Sequence, residues 1–256
     1  MPTDSSQFGL GLADQRVLVT GAASGIGRSV AQRFAEMGCH VCLADINESP
    51  IVELASQLGP RCSAVLVDLA DRQSCVDLLD EASRKMGGVD ILVNAGAIIL
   101  RQEFEAISPM DIHRLVDVNM AGPIYISQAA AAVMKKNVAG GKIILLSSQG
   151  AHTGGYVGST LYAMTKAAVV SLVKSLAREL APYNINVNSI APGVVDTPMI
   201  RNDVSREALD TFMKMVPLGR IAQPREIANC CLFLSSEWAS YVTGHTLDVN
   251  GGQLMR

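Results

Sequence analysis

Short apolar runs alternate with amphipathic stretches along almost the whole chain, and few architectures accommodate that alternation. Arg16-Val17-Leu18-Val19-Thr20 reads as a strand and is followed by a glycine-rich turn, Gly21 to Gly27. A helical stripe of Val30, Ala31, Phe34, Ala35 and Met37 comes next and stops at Gly38. Val41 to Ala44 is a second strand, ending at Asp45. This is a βαβ unit, which crosses over right-handed. The pattern then repeats. Helices are expected over Ile51–Leu58, Arg72–Met86, from about Pro109 to Lys136 with a bend at Pro123, after Tyr162, and over Pro224–Ser236. Strands are expected over Ala64–Val67, Ile91–Val93, Lys142–Leu146, Asn186–Ile190 and Thr246–Val249. The expectation is a single doubly wound α/β domain over residues 13–256, with a mostly parallel seven-stranded sheet and helices on both faces. Residues 1–12 read as a frayed leader, and the stretch near 194–223 as a lid-like insertion.

Composition removes several classes of function. A net charge of -3 gives no basic footprint for nucleic acid or anionic membrane, and aromatics at 4% offer no platform for stacked bases. No apolar run approaches the roughly 20 residues of a membrane helix, and no secretory signal is visible. The six cysteines lie scattered in apolar segments, apart from adjacent Cys230 and Cys231. They read as buried reduced thiols rather than a zinc or redox site, even at Cys39-His40-Val41-Cys42. That usage suits a reducing cytoplasm.

In parallel sheets, ligands sit at the carboxyl ends of the strands. This sequence places there the Gly21 turn, Asp45, Asp68, Asn94-Ala95-Gly96, Ser147-Ser148 and Pro192-Gly193. In the glycine turn, Gly21 allows the tight bend, Gly25 lets a pyrophosphate approach the backbone, and Gly27 lets the helix pack closely. Free N–H groups at the helix start would then meet the phosphates. Asp45 would accept hydrogen bonds from the adenosine ribose hydroxyls and repel a 2′-phosphate. No arginine or lysine stands at Ala22, Ala23, Ser24 or Ile46 to receive one, so NAD is expected over NADP. Asp45 can also serve as a helix cap, and the two roles can coexist.

Tyr162 and Lys166 lie one helical turn apart, which puts both on one face. Alone, such a pair is common on solvated helices. Together with Thr20-Gly-Ala-Ala-Ser-Gly-Ile-Gly27, Asn94-Ala-Gly96, Asn119, Ser148 and Pro192-Gly193 with Thr197, it resembles the short-chain dehydrogenase/reductase family, in its compact single-domain, NAD-preferring Rossmann branch. The resemblance runs in order over nearly the whole chain. The family often has a second asparagine where Val93 stands, a mild departure.

The resemblance implies roles residue by residue. Tyr162 would be the general acid/base, and Lys166 would bind the nicotinamide ribose and lower the tyrosine pKa. Ser148 would hold the substrate oxygen, and Asn119 would anchor a water that links Lys166 to solvent. Ser24 and Ile26, beside Gly21, Gly25 and Gly27, would lie at the pyrophosphate, and Asp68 and Leu69 at the adenine. Asn94 and Gly96, flanking Ala95, would lie at the adenosine side. Val195 and Thr197 would close over the carboxamide, with Pro192 and Gly193 in the same cofactor-binding set. Alternation along a strand lets only one of Ser147 and Ser148 face the site, and the family pattern favours Ser148. Gly150, His152 and Met199 are substrate-site candidates, although His152 reads first as a solvent-facing loop residue. No metal is expected. A homotetramer is implied, assembled through the two long helices and the last strand.

The reading that follows is an NAD-dependent oxidoreductase moving a hydride between nicotinamide and a small-molecule secondary alcohol or ketone, with a polyol or sugar alcohol as first candidate. A 3-oxoacyl thioester reductase using NADPH and a steroid dehydrogenase are the alternatives. A non-catalytic nucleotide-binding module stands last, because such a module has no use for the phenol–ammonium pair.

Overall fold

The computed structural model describes residues 10–203 and 206–256. Seven parallel strands form one sheet in the order β3-β2-β1-β4-β5-β6-β7. In chain order the first half comprises β1 (Arg16–Thr20), α1 (Gly25–Glu36), β2 (His40–Asp45), α2 (Glu48–Leu58), β3 (Cys62–Leu66), α3 (Arg72–Met86) and β4 (Ile91–Asn94). The second half comprises α4 (Pro109–Val116), α5 (Gly122–Met134), β5 (Gly141–Leu146), α6 (Gly150–Thr153), α7 (Thr160–Leu180), β6 (Ile185–Pro192), α8 (Pro198–Asp203), α9 (Arg206–Met215), α10 (Pro224–Ser235) and β7 (Thr246–Val249). The strand order reverses direction between β1 and β4, as in a doubly wound Rossmann sheet.

The strands read as near-continuous apolar runs because both of their faces are covered. Alternate residues serve opposite layers. Val17, Val19, Val41, Leu43, Ile144 and Leu146 join the core beneath α1, α2 and α10, whereas Leu18, Cys42, Ala44, Ile143 and Leu145 join the core beneath α3, α5 and α7. All six cysteines are free, and burial raises every one of these thiols above its usual range.

Several boundaries differ from the sequence reading. β3 starts earlier than Ala64–Val67 because Cys62 and Ser63 already pair with Val41 and Cys42 of β2, and it ends earlier, ahead of the turn in which the Asp68 carboxylate takes the Ala70 N–H at 2.9 Å. The long helix expected over 109–136 is two helices, separated by a π-helical turn at Asp117–Ala121. The break lies just ahead of Pro123, which has no N–H with which to continue the helical ladder. The insertion near 194–223 carries α8 and α9. Most of the expected leader, residues 1–9, falls outside the described residues, while Leu12 is buried in the core.

Candidate active site

A cleft of about 400 Å³ runs along the carboxyl edge of the sheet, walled by the loops that follow β1 to β6 and by α8. One end is built around the Gly21–Gly27 turn. Gly21 has φ +68°, and a Cβ there would stand 2.6 Å from the Gly96 nitrogen. A Cβ on Gly27 would overlap the Gly21 carbonyl oxygen, so α1 can pack this close to β1 only with glycine at that position. The N-cap Ser24 makes no side-chain cap, and the first turn of α1 holds no acidic residue. The leading N–H groups of α1 therefore remain available toward the cleft that Ser24, Gly25, Ile26 and Gly27 line. This donor set suits an anionic diphosphate.

Asp45 ends β2 at the same place. One carboxylate oxygen accepts from the Ala23 N–H at 3.1 Å, and the other accepts from the Asn47 N–H at 3.0 Å. The carboxylate is thereby fixed to the glycine turn and still borders the cleft. Asp68 and Leu69 border it from the end of β3, and Ala95 and Gly96 from the end of β4. Asn94 does not reach it. Its amide oxygen accepts from the Thr20 hydroxyl at 2.5 Å, which locks the adjacent ends of β1 and β4 together. On the far side stand Pro192, Gly193, Val195 and Thr197. Thr197 is buried and touches the space beside Gly25, so the segment after β6 closes against the glycine turn.

The other end of the cleft collects Ser148, Tyr162 and Lys166. The first turn of α7 carries the tyrosine, and the next turn carries the lysine. Lys166 is buried and donates to the Leu146 carbonyl at 2.8 Å. Its ammonium lies 5.6 Å from the centre of the Tyr162 ring. Burial lowers Lys166 to about 8. Burial also pushes the Tyr162 phenol up to about 12, opposed by the positive charge of Arg101. Sequence reasoning missed Arg101; a basic residue in the loop that leaves β4 was the available signal.

The two adjacent serines divide their tasks. The buried Ser147 donates to the Lys166 main-chain carbonyl at 2.9 Å and ties β5 to α7. The Ser148 hydroxyl accepts the Gly150 N–H at 3.1 Å and keeps its own hydrogen for the cleft. Asn119 sits in the π-helical turn and does not border the cleft. Its amide exchanges two hydrogen bonds with Ile98, accepting at 3.0 Å and donating at 2.8 Å, and it reaches the Thr165 hydroxyl at 3.2 Å. Asn119 thus clamps the loop after β4 to α7. The π turn presents this amide to both partners.

Above Ser148, Gly150 and Met199 border the cleft. His152 does not. Gly150 and Thr153 share the cleft face of α6, and the 100° step of a helix turns His152 away, toward Arg256 and Asp248. Its ring is half-buried rather than solvent-facing, and burial lowers its pKa. A polar group stands near it, of which Tyr156 and Gln253 were absent from the sequence reading. Gln149 donates to Gln253 at 2.8 Å and to the Tyr156 hydroxyl at 3.3 Å, and Gln253 reaches that hydroxyl at 2.5 Å. The Tyr156 ring packs 4.0 Å from Phe212 of α9, joining the insertion to this group.

A parallel sheet of this order, a glycine turn at its first strand and a Ser–Tyr–Lys set at its fifth define a nucleotide-dependent oxidoreductase site. Residues 21–253 match the family described as enoyl-(acyl carrier protein) reductase. The chain is 36% identical over 239 residues to the 3-oxoacyl-(acyl-carrier-protein) reductase FabG of Aquifex aeolicus, covering 92% of this chain and 95% of that one. It is 35% identical over 254 residues to the galactitol 2-dehydrogenase of Agrobacterium fabrum, covering 95% and 99%. A solved structure described as a short-chain dehydrogenase/reductase, glucose/ribitol dehydrogenase, from Brucella melitensis superimposes with a TM-score of 0.89 at 35% identity, covering 95% of this chain and 98% of that one. The chain belongs to the short-chain dehydrogenase/reductase family. It is an oxidoreductase that acts on an alcohol or ketone with a nicotinamide cofactor.

Proposed function

We propose that this enzyme, folded as one domain over residues 13–256, uses NAD to interconvert a secondary alcohol and its ketone. One observation carries the reading: the cleft has a carboxylate and free helix N–H groups at one end and Ser148, Tyr162 and Lys166 at the other. Asp45 favours NAD, because its fixed carboxylate would meet a 2′-phosphate at close range and no cation among the described cleft residues stands at that end. Gly21, Ser24, Gly25, Ile26 and Gly27 would hold the diphosphate, Asp68, Leu69, Ala95 and Gly96 the adenosine, and Pro192, Gly193, Val195 and Thr197 the nicotinamide. The bound nicotinamide supplies the hydride acceptor or donor.

The chain's own residues handle the proton and the substrate. In oxidation the Tyr162 phenolate takes the hydroxyl proton; in reduction the phenol returns it to the carbonyl oxygen. Ser148 donates its free hydrogen to that oxygen and holds it beside Tyr162. Lys166 would bind the ribose, and its positive charge favours the phenolate. Asn119 positions the Ile98 loop and α7 around this centre. Gly150 and Met199 would border the substrate. The polar group of Gln149, Tyr156 and Gln253 suits a substrate with several hydroxyls, which supports a polyol or sugar alcohol.

The protein is read as a cytoplasmic homotetramer. Exposed Ile112 and Val116 of α4, Ile124 of α5 and Met164 of α7 offer one apolar face, and exposed Trp238 and Tyr241 before β7 offer another. Sedimentation showing only monomer would remove this part of the reading.

A second reading, a 3-oxoacyl thioester reductase using NADPH, is favoured by the likeness to the Aquifex enzyme. Spectrophotometric assays with NAD and NADP over polyols, sterols and 3-oxoacyl thioesters separate the two. Faster turnover with NADPH and a thioester would reverse their order; absence of turnover with every alcohol and ketone would remove both.

A further inference from the structure

The two cations of the cleft, Arg101 and Lys166, both lie near Tyr162. Lys166 is spoken for by the Leu146 carbonyl. Arg101 has no salt bridge and no hydrogen bond among the described residues, and its Nε is buried without a partner. It is the one arginine among the described residues left in that condition. The acidic residues among the described lining are Asp45 and Asp68, which follow β2 and β3 on the other half of the sheet. No carboxylate of the described lining therefore faces Arg101. A buried guanidinium N–H left without an acceptor is costly, so a site that keeps one is arranged for an acceptor that arrives.

The root of the side chain is also fixed. Ile98 is clamped by Asn119 on one side. On the other, the Gln102 N–H donates to the Gly158 carbonyl at 3.0 Å. Arg101 thus stands between two anchors, at the mouth shared by the loops after β4 and β5. A guanidinium is planar and presents its donors as a fork that matches a carboxylate. A single uncompensated cation also matches one negative charge better than the two of a phosphate.

We propose that Arg101 receives a carboxylate of the substrate, so that the alcohol oxidised beside Tyr162 belongs to a hydroxy acid. This rests on the reading of the protein as an alcohol-oxidising enzyme, and it narrows the polyol candidate to a polyhydroxy or simple hydroxy carboxylate. The hydroxyls of such a substrate would meet Ser148 and the Gln149 group, while its charge would meet Arg101. The same cation lies close enough to influence the Tyr162 phenol, so binding of the carboxylate and proton exchange share one neighbourhood.

Matched pairs test the assignment: gluconate against sorbitol, and 3-hydroxybutyrate against 2-butanol, with sorbitol 6-phosphate as the phosphate arm. The expected result is a preference of about tenfold or more in kcat/KM for the carboxylate member of a pair, the scale of a charge-assisted hydrogen bond. In Arg101→Met this preference falls to near unity, chiefly through KM, and Arg101→Lys keeps part of it. Retained NADH binding shows that each variant is folded. Quenching of bound NADH fluorescence by gluconate gives a second readout, expected in the parent protein and lost in Arg101→Met. A preference unchanged in Arg101→Met, or a neutral alcohol preferred by the parent, overturns the proposal. Preference for the phosphate arm overturns the choice of carboxylate. Gluconate binding that depends on Arg101 without turnover of any alcohol would uphold the carboxylate site and sink the oxidoreductase chemistry instead.

Discussion

The Lys166 ammonium donates to the Leu146 carbonyl at 2.8 Å, while the centre of the Tyr162 ring lies 5.6 Å from it. The lysine is thus anchored to the end of β5, one residue before Ser147, and the Tyr162 phenol hangs beside it. Holding a buried ammonium in that place has a thermodynamic consequence.

Lys166 titrates near about 8 in the folded protein, lowered by burial, against the ordinary 10.5. Below pH 8 both folded and unfolded chains carry the proton, and folding bears the full cost of burying the charge. Between about 8 and 10.5 the unfolded chain binds more protons, so this cost is relieved as pH rises. Lys166→Met is expected to abolish turnover and yet raise the unfolding free energy at pH 7, on the order of 2 kcal/mol after the lost Leu146 hydrogen bond is allowed for, with a higher Tm. The advantage should shrink between pH 8 and 10. Thermal unfolding across that range, without cofactor, measures it; a variant less stable than the parent at pH 7 would contradict the account.

Ser147 and Ser148 should separate cleanly. Ser147→Ala removes the tie from β5 to the Lys166 carbonyl and is expected to cost about 1 kcal/mol of stability. Ser148→Ala should leave stability nearly unchanged and lower kcat about a hundredfold or more, the usual scale for removing a donor to a developing oxyanion. Denaturant midpoints and steady-state rates on both variants decide; the reverse pattern would make Ser147 the substrate contact.

Asp45→Ser should weaken NAD binding about tenfold or more and raise the relative efficiency with NADP. Two effects combine: the ribose loses its acceptor, and the Ala23 N–H loses the carboxylate that steadies the glycine turn. Fluorescence titration with NADH and NADPH reads both affinities. An unchanged ratio would show that the cofactor's ribose does not meet Asp45.

Gly27→Ala should prevent the close approach of α1 to β1, because the added methyl overlaps the Gly21 carbonyl oxygen and backbone cannot yield cheaply. Destabilisation of about 2 kcal/mol or more, with loss of NADH binding, is expected in chemical denaturation and fluorescence titration. Gly38→Ala is the opposite case, backbone strain without crowding: Gly38 has φ +80°, which Gly27 does not share, and its Cβ would meet nothing within 4 Å.

The layered architecture was legible because buried parallel strands must be apolar on both faces, and Val17 to Val19, Val41 to Ala44 and Ile143 to Leu146 are. The positions of Gly21 and Asp45 along the cleft followed from where strands end, whereas the choice of Ser148 over Ser147 and the role expected of Tyr162 came from the family resemblance. What pattern could not reveal lay in long-range side-chain pairing. Asn94 carries the same amide whether it faces a nucleotide or Thr20, and only the pairing of β1 with β4 places it against Thr20. The π turn at Asn119 left no glycine or proline signal at its centre; its reason is the Ile98 backbone and the Thr165 hydroxyl, both distant in sequence. Arg101 lies in a segment with no periodicity, so its meaning came from the acceptors it lacks. His152 was misjudged because a four-residue helix, too short to show a stripe, sets which way it turns.

The contact between Gln149 and Gln253 spans 104 positions and joins the two sides of the substrate end late in the chain. Gln253 lies beyond β7, so the sheet ladder does not hold it, and its place depends on its side-chain bonds to Gln149 and the Tyr156 hydroxyl. Substitutions at Gln149 or Tyr156 would therefore loosen the segment after β7 while leaving the strand pairing and the glycine turn untouched, so the two ends of the cleft are free to diverge independently.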